Sequence, residues 1–405
     1  MRRLPLAATL AAVTLAATAG GVAAARAQTA SEETRPPNRL AERPAFPGQT
    51  RAPKVATQTA YRVVTVARGL VNPWGLAFLP DGRMLVTERP GRLRIVSKTG
   101  GLSAPVSGVP AVAKGGQLGL YGLALDPAFA KTRRVYLAYS APTAGGSALS
   151  VARGRLSEAG PPRLEDVKMI FRASPAKPGT ANIGGRLVFA PDGTLFVTVG
   201  DRFQSRDLAQ MLDNDLGKMA RINPDGSIPK TNPFAGKAGA RPEIWSYGER
   251  NGEAAAINPW THRLWVVEHG ARGGDEINVL SPGKNYGWPV ITYGEDYSGA
   301  LIGKGLTQAQ GMEQPIYYWD PVIAPSGMAF YTAGLFPAWK GNLFVGGLAS
   351  ERVSRLVLNG ERVTGEEWLF HDLHERIRDV VQGPDGALYL LTDAEQGRVL
   401  KVVPK

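Results

Sequence analysis

From about residue 60 onward, short runs of apolar β-formers alternate with polar turns built on Pro-Asp-Gly or an equivalent. The pattern recurs six times. GLAFLPDGRMLVTER begins at Gly75, GLALDPAFAKTRRVYLAYS at Gly122, RLVFAPDGTLFVTVGD at Arg186, AAAINPWTHRLWVVEHG at Ala254, GMAFYTAGLFPAWKGNLFVGG at Gly327 and DVVQGPDGALYLLTD at Asp379. Each copy reads as a strand, a tight turn and a second strand, because Pro presets φ and Gly supplies the positive φ a tight turn needs. Spacing averages about sixty residues, enough for a four-stranded unit with loops to spare. Helical periodicity sustained over several turns does not occur outside the N-terminal segment.

Six such units predict an all-β fold, a six-bladed β-propeller of four-stranded blades spanning 60–405, since closure removes the exposed edges of an open array. A β-sandwich rarely repeats six times, and a β-helix has shorter periods. The run YRVVTVA, Tyr61 to Ala67, has no partner in its own repeat and is placed beside RVLKVV near the C-terminus, completing the last blade. Ligands are expected where loops converge on the central channel.

Ahead of the repeats, Met1-Arg2-Arg3 precedes an apolar run rich in alanine and leucine that ends at Ala25-Arg26-Ala27. This is the pattern of a secretory signal peptide, 1–27, cut after Ala27, and it implies export to a periplasm or the exterior with no transmembrane segment left. Residues 28–59 hold five prolines and many charges without apolar periodicity, and read as a linker with little structure.

Charge and cysteine content narrow the chemistry. The chain carries 47 Lys+Arg against 35 Asp+Glu; without Arg2, Arg3 and Arg26 the counts are 44 and 35, a surplus of 9. That balance suits a solvated surface or an anionic ligand, and no basic helix or zinc spacing argues for nucleic acid. Cysteine is absent, which excludes disulfides, thiol catalysis and thiolate metal sites. With His262, His269, His371 and His374 the only histidines, a multi-histidine zinc site is not expected.

Chemistry-bearing residues concentrate between Trp245 and Gly299. Arg250-Asn251 sets a planar five-donor fork beside an amide that donates and accepts, which suits a ligand carrying carboxylates and carbonyls, such as a small anion or a quinone. The run GGDEINVLSPGKNYGW offers Asp275 and Glu276 among glycines that free backbone carbonyls. From spacing alone these acids read equally as hard-oxygen donors for calcium or as surface charges capping turns.

Five strings in order, GGRLVFAPDGTLFVTVGD, SYGERN, EHGARGGDEIN, NYGWP and RIRDV, carry a resemblance that covers nearly everything from Tyr61 onward. The chain resembles the soluble pyrroloquinoline-quinone (PQQ)-dependent sugar dehydrogenases, the family of soluble aldose sugar dehydrogenases and soluble glucose dehydrogenase. The resemblance implies a six-bladed propeller that holds PQQ over its channel with one calcium ion against the quinone and, in many members, another that is structural. It places Gln117, Arg250, Asn251, Tyr297, Arg376 and Arg378 at the cofactor. The carbonyls of Gly270 and Ala271 fall at the catalytic calcium, and Glu276 and Tyr286, the latter through its carbonyl, at the structural one. The implied reaction is oxidation of a sugar at its anomeric carbon to a lactone, with electrons passed on to an acceptor the sequence does not name.

Several positions depart from that pattern. The resemblance implies a histidine base four residues before the arginine of GGR, where this chain has Asn182, and an amide has no useful pKa near neutrality. It also implies a basic residue near Ala349, a proline at Ala271 and a histidine at Glu249, whose acid is expected to compete for Arg250. His374 and Glu249 are the nearest substitutes for the base. Three functions stay open: a working or weakened sugar dehydrogenase, a non-catalytic propeller binding calcium or another ligand, and a calcium-dependent lactonase, for which a second set of inward-facing acids is lacking. The expectation on which the quinone site depends is that Gln117, Arg250, Asn251, Tyr297 and Arg378 converge on one cavity.

Overall fold

The computed structural model describes residues 30–405, so the expected signal peptide at 1–27 lies outside the described residues. Six antiparallel sheets follow one another along the chain. Their innermost strands are Pro73–Phe78, Leu120–Leu125, Gly184–Phe189, Gly252–Ile257, Pro325–Phe330 and Ile377–Gln382. Each packs on the next, and the sixth packs on the first, so the ring closes. The chain is the expected six-bladed propeller. Among the described residues no helix is long and apolar enough to cross a membrane.

The Pro-Asp-Gly signal works as the turn chemistry requires. Asp81 Oδ1 accepts the Arg83 N–H at 3.0 Å and Gly82 takes φ +84°; Asp192 with Thr194 and Gly193 at φ +82° repeats the arrangement. The second strand of the repeat then runs through the middle of its blade. Met84–Glu88, Leu195–Val199, Leu264–Glu268, Leu343–Gly347 and Leu388–Thr392 are buried at every residue. Sheets stacked face to face cover both sides of them, which is why they read as continuous apolar runs.

Apolar clusters fill the interfaces between successive blades: Leu85 with Leu137, Tyr136 with Val197, Phe196 with Val266, Trp265 with Leu343, and Phe344 with Leu390 belong to five of them. The sixth, at the seam, joins Leu70, Val86 and Leu391. Tyr61–Leu70 pairs antiparallel with Gly397–Pro404 to complete the last blade from the N-terminal side of the chain. The two ends of the domain are thus zipped into one sheet.

Two expectations need correction. The first blade has three strands, Pro73–Phe78, Met84–Glu88 and Arg92–Val96. The next segment follows the sheet edge through Ser103 N to Ile95 O and Val106 N to Leu93 O, both 2.8 Å. Pro105 between them has no N–H to donate, so no regular ladder forms. Nor is the segment from residue 30 to 59 an unstructured linker. It contains no strand, yet Gln49 and Ala52 are fully buried, Asn38 Nδ2 donates to Asp320 Oδ1 at 2.6 Å, and Gln49 Nε2 donates to Pro315 O at 2.8 Å. Polar side chains dock it onto carbonyls and carboxylates, a mode of attachment that leaves no apolar period to read.

Candidate functional site

Strand direction decides which residues meet. The innermost strand of every blade begins at one end of the channel, and its antiparallel neighbour finishes there. Gln117, Asn182, Arg250, Ala324 and Arg376 lie one to three residues before innermost strands, and Arg89, Asp201, His269, Leu348 and Asp393 lie one or two residues past second strands. All ten therefore gather at the same mouth.

Two cavities open there, with a third of water size between residues of both. One, of about 250 Å³, is lined by Arg89, Gln117, Glu253, His269, Arg376 and Arg378, among others. The second, of about 360 Å³, is lined by residues that include Asp201, Arg250, Ala271, Trp288 and Tyr297. The small one, of about 20 Å³, touches Arg250, Glu268, His269, Gly270, Glu276 and Tyr286. It shares His269 with the first cavity and Arg250 with the second. The expected residues are therefore split between adjoining cavities rather than gathered in one.

Asn251 reaches neither large cavity. Its Oδ1 accepts the Gly184 N–H at 2.9 Å and its Nδ2 donates to Glu253 Oε1 at 3.2 Å, so it fixes the starts of two innermost strands. Tyr297 stands at the rim, 60% exposed, with its ring 6.1 Å from that of Phe203. Asn182 is buried behind the wall. Its N–H donates to Gln117 Oε1 at 2.7 Å, and its side-chain amide to Asp201 Oδ1 at 2.9 Å.

Neither expected substitute base reaches a cavity. Glu249 is buried and takes the Ser246 hydroxyl; burial and the nearby Glu268 push its carboxyl well up. It does not compete for Arg250, whose Nη1 donates to His269 O at 3.1 Å while its guanidinium lies 5.1 Å from the Trp288 ring. His374 is exposed on the surface.

The channel beneath is strongly polar. Glu253 accepts from Arg378 Nη1 at 2.5 Å and lies 3.4 Å from His269 Nε2. Although burial disfavours its charge, His269 and Arg378 hold its carboxyl well below the usual range. Arg378 also pairs with Asp393 at 2.9 Å, and Arg186 with Asp379 at 3.1 Å.

The donor set fits an anionic quinone. Among the described residues a buried nitrogen of Arg250 and one of Arg378 have no hydrogen-bond partner, and unpaired guanidinium donors are what carboxylates and carbonyls satisfy. For calcium the fit is with oxygen donors of mixed origin. Burial and Glu268 push Glu276 up to about 8, burial pushes Glu268 up to about 7, and Asn278 Oδ1 has no donor. Among the described residues no group of three or more acidic or histidine side chains forms a metal cage. Backbone carbonyls must complete any such site, and those of Gly273 and Gly274 come within 2.2 and 2.4 Å of where a side chain on Gly270 would begin. The hydroxyl of Tyr286 is occupied by Val279 O at 2.8 Å, which leaves its carbonyl as the usable donor.

Asp201, Glu253, His269 and Trp288 were not singled out from the sequence as site residues. Asp201 accepts the Trp288 indole N–H at 2.7 Å and the Phe203 N–H at 2.7 Å besides Asn182. The signal was positional. Asp201 and His269 stand just past a second strand, as Arg89 and Asp393 do.

A closed propeller with an arginine-rich pocket at one mouth defines the class, and the chain belongs to the glucose/sorbosone dehydrogenase family of oxidoreductases, whose profile matches residues 70–401. It is 48% identical over 340 residues to the aldose sugar dehydrogenase YliI of Escherichia coli (strain K12), covering 83% of this chain and 91% of that one. Among solved structures it is similar to the apo form of the soluble aldose sugar dehydrogenase from Escherichia coli, at 46% identity and a TM-score of 0.82 over 85% of this chain and all of that one. The PQQ-bound aldose sugar dehydrogenase from Streptomyces coelicolor is 30% identical, with a TM-score of 0.70 over 86% of this chain and all of that one.

Proposed function

We propose that this protein oxidises an aldose sugar at its anomeric carbon to the lactone, with PQQ at the channel mouth and calcium beside it. The observation that carries the reading is that Arg250 and Arg378, which line adjoining cavities, each keep a buried guanidinium nitrogen without a hydrogen-bond partner among the described residues. The PQQ-bound relative supports the same cofactor. Arg376 and Arg378, aided by Gln117, would hold its carboxylates, Arg250 would supply a hydrogen-bond donor to it, and Tyr297 borders the rim. The carbonyls of Gly270 and Ala271 hold the calcium at the quinone, and Glu276 with the carbonyl of Tyr286 holds a structural one. When bound, the quinone and calcium supply hydride acceptance and Lewis-acid polarisation. Residues 1–27 direct the chain to export.

The proton is the weak point. Oxidation of the anomeric C–OH releases a hydride and a proton, and Asn182 has no lone pair basic enough to take the latter. Asp201, the carboxylate next to it, already accepts from Asn182, Phe203 and Trp288. That arrangement favours a slow enzyme, and it is the one observation that favours a second reading, a propeller that holds the quinone without turning sugar over.

Mixing the purified protein with calcium and PQQ, recording the shifted absorption of bound quinone, and then following bleaching of an electron-accepting dye on addition of aldoses separates the two. Binding with bleaching is the expected result. Binding without bleaching selects the second reading, and no binding refutes both.

A further inference from the structure

We infer that Arg39, on the irregular segment ahead of the family match, is a positioning residue that staples the neck of the loop forming one wall of the larger cavity. The family match begins at residue 70, so this segment lies ahead of it. Its attachment is specific.

The loop in question leaves the fourth blade after Asp275–Leu280 and returns at Tyr317–Trp319. Its neck is formed where Thr292 N donates to Leu306 O at 2.9 Å and residues 291 and 306 pair as a parallel bridge. Beyond the neck, Asp296, Tyr297 and Ile302 face the 360 Å³ cavity. Whatever sets the neck sets the wall.

Arg39 spans both legs of that neck. Its Nη1 donates to Thr292 O at 3.4 Å and Gly294 O at 3.3 Å on one leg, and its Nη2 donates to Gly305 O at 3.1 Å on the other. The guanidinium side chain is 8% exposed and is held in place by Glu42. A planar fork reaches carbonyls on two legs at once, which a single ammonium does poorly. Next along the loop, Glu295 and Arg272 exchange backbone hydrogen bonds, both 2.9 Å, tying the same wall to the turn that carries Gly270 and Ala271. On the other side Asn38 binds Asp320, whose carboxylate lies against Gly273. The segment thus braces from behind two loops that meet at the mouth.

The brace itself does not depend on the ligand; only its consequence for sugar binding rests on the proposed function. The test uses the full chain with Arg39→Ala, Arg39→Lys and, as a control on the same segment, Arg51→Ala, whose guanidinium binds Glu33 O and Asp320 O instead. Hydrogen exchange is followed by mass spectrometry in peptides covering 291–306 and, for reference, 134–157. We expect R39A to speed exchange at 291–306 about tenfold or more with the reference unchanged, R39K to recover part of the protection, and R51A to leave 291–306 near wild type. In the dye assay the apparent KM for sugar rises about fivefold or more in R39A while kcat stays within about twofold. Unchanged exchange at 291–306, or equal effects of R39A and R51A, overturns the inference. Should R39A not fold, R39K against R51A decides the same question. A wild type that oxidises no sugar counts against the proposed function and leaves the exchange result to judge the brace.

Discussion

Asn182 donates its side-chain amide to Asp201 Oδ1 at 2.9 Å from a backbone held at φ +51°. The pair sits between Gln117 of the arginine-lined cavity and the Asp201 wall of the larger one. Asn182 thus links a side chain of one cavity to a side chain of the other, and the group at that link is an amide rather than a proton acceptor.

Asn182→His is expected to raise kcat for sugar oxidation by about 100- to 10,000-fold, the usual contribution of a positioned general base. Histidine is among the residues enriched at positive φ, so the backbone accepts it. One ring nitrogen is expected to take over the hydrogen bond to Asp201, leaving the other free to accept a proton. Steady-state kinetics with PQQ and calcium saturating provide the check. A variant that binds the quinone as the parent does, yet turns over no faster, shows that the base does not belong at this position.

Arg376 is half-exposed and shares Asp393 at 3.4 Å with the better-placed Arg378, besides donating to Leu348 O at 3.1 Å. Exposed pairs of this kind contribute about 0–1 kcal/mol to stability. A charge-assisted bond to a ligand carboxylate contributes about 1.5–3 kcal/mol. Arg376→Ala is therefore expected to weaken PQQ binding about 10- to 100-fold in an absorbance titration, with the melting temperature almost unmoved. Unaltered affinity would remove Arg376 from the cofactor site.

The ring was legible because a short apolar run, a polar turn and a second apolar run recur six times, and Asp81-Gly82 and Asp192-Gly193 fold as their residue types require. Of the mouth residues, Gln117, Asn182, Arg250 and Arg376 were legible through the family resemblance, whereas Arg89, Asp201, His269 and Asp393 were not, although all of them flank those strands. What the sequence hid depends on polar contacts made at long range. Asn38 meets Asp320 and Arg39 meets Gly305 across more than 260 positions, and no local period records such bonds. Asn251 illustrates the same limit, since its identity was plain while its use in fixing Gly184 rather than facing a cavity was not.

Asp215 gives a pH signature away from the mouth. Burial pushes its carboxyl up to about 7, with Glu243 repelling its charge, while Ser174 N donates to it at 2.7 Å. A carboxyl whose folded pKa exceeds its unfolded value binds more protons in the native state, so its contribution to stability is complete below about pH 4 and is lost as pH rises toward about 7. Asp215→Asn is expected to flatten the urea-unfolding free energy across that window by a few kcal/mol, on the order of what such a shift supplies. A slope between pH 4 and 7 equal to that of the parent would show that Asp215 titrates alike in both states.

Calcium should matter to stability before it matters to catalysis. Buried Glu268 and half-buried Glu276 lie together beside the water-sized cavity, and each is disfavoured as an anion by burial. A cation of the right size relieves both at once, and calcium tolerates the irregular mixture of carboxylate and carbonyl oxygens that the turn after Gly270 offers, whereas magnesium demands a near-octahedral set. Ligand present at about 100 times its dissociation constant stabilises the native state by about 2.7 kcal/mol. Millimolar calcium is accordingly expected to raise the melting temperature of the protein without PQQ by several degrees over its value in chelator, with magnesium giving little. Glu276→Gln should abolish most of that calcium-dependent rise. It should cost little in chelator, because the amide replaces a carboxyl already inclined to be neutral. Equal melting temperatures for the parent in calcium and chelator would show that the Glu276 pocket holds no structural ion.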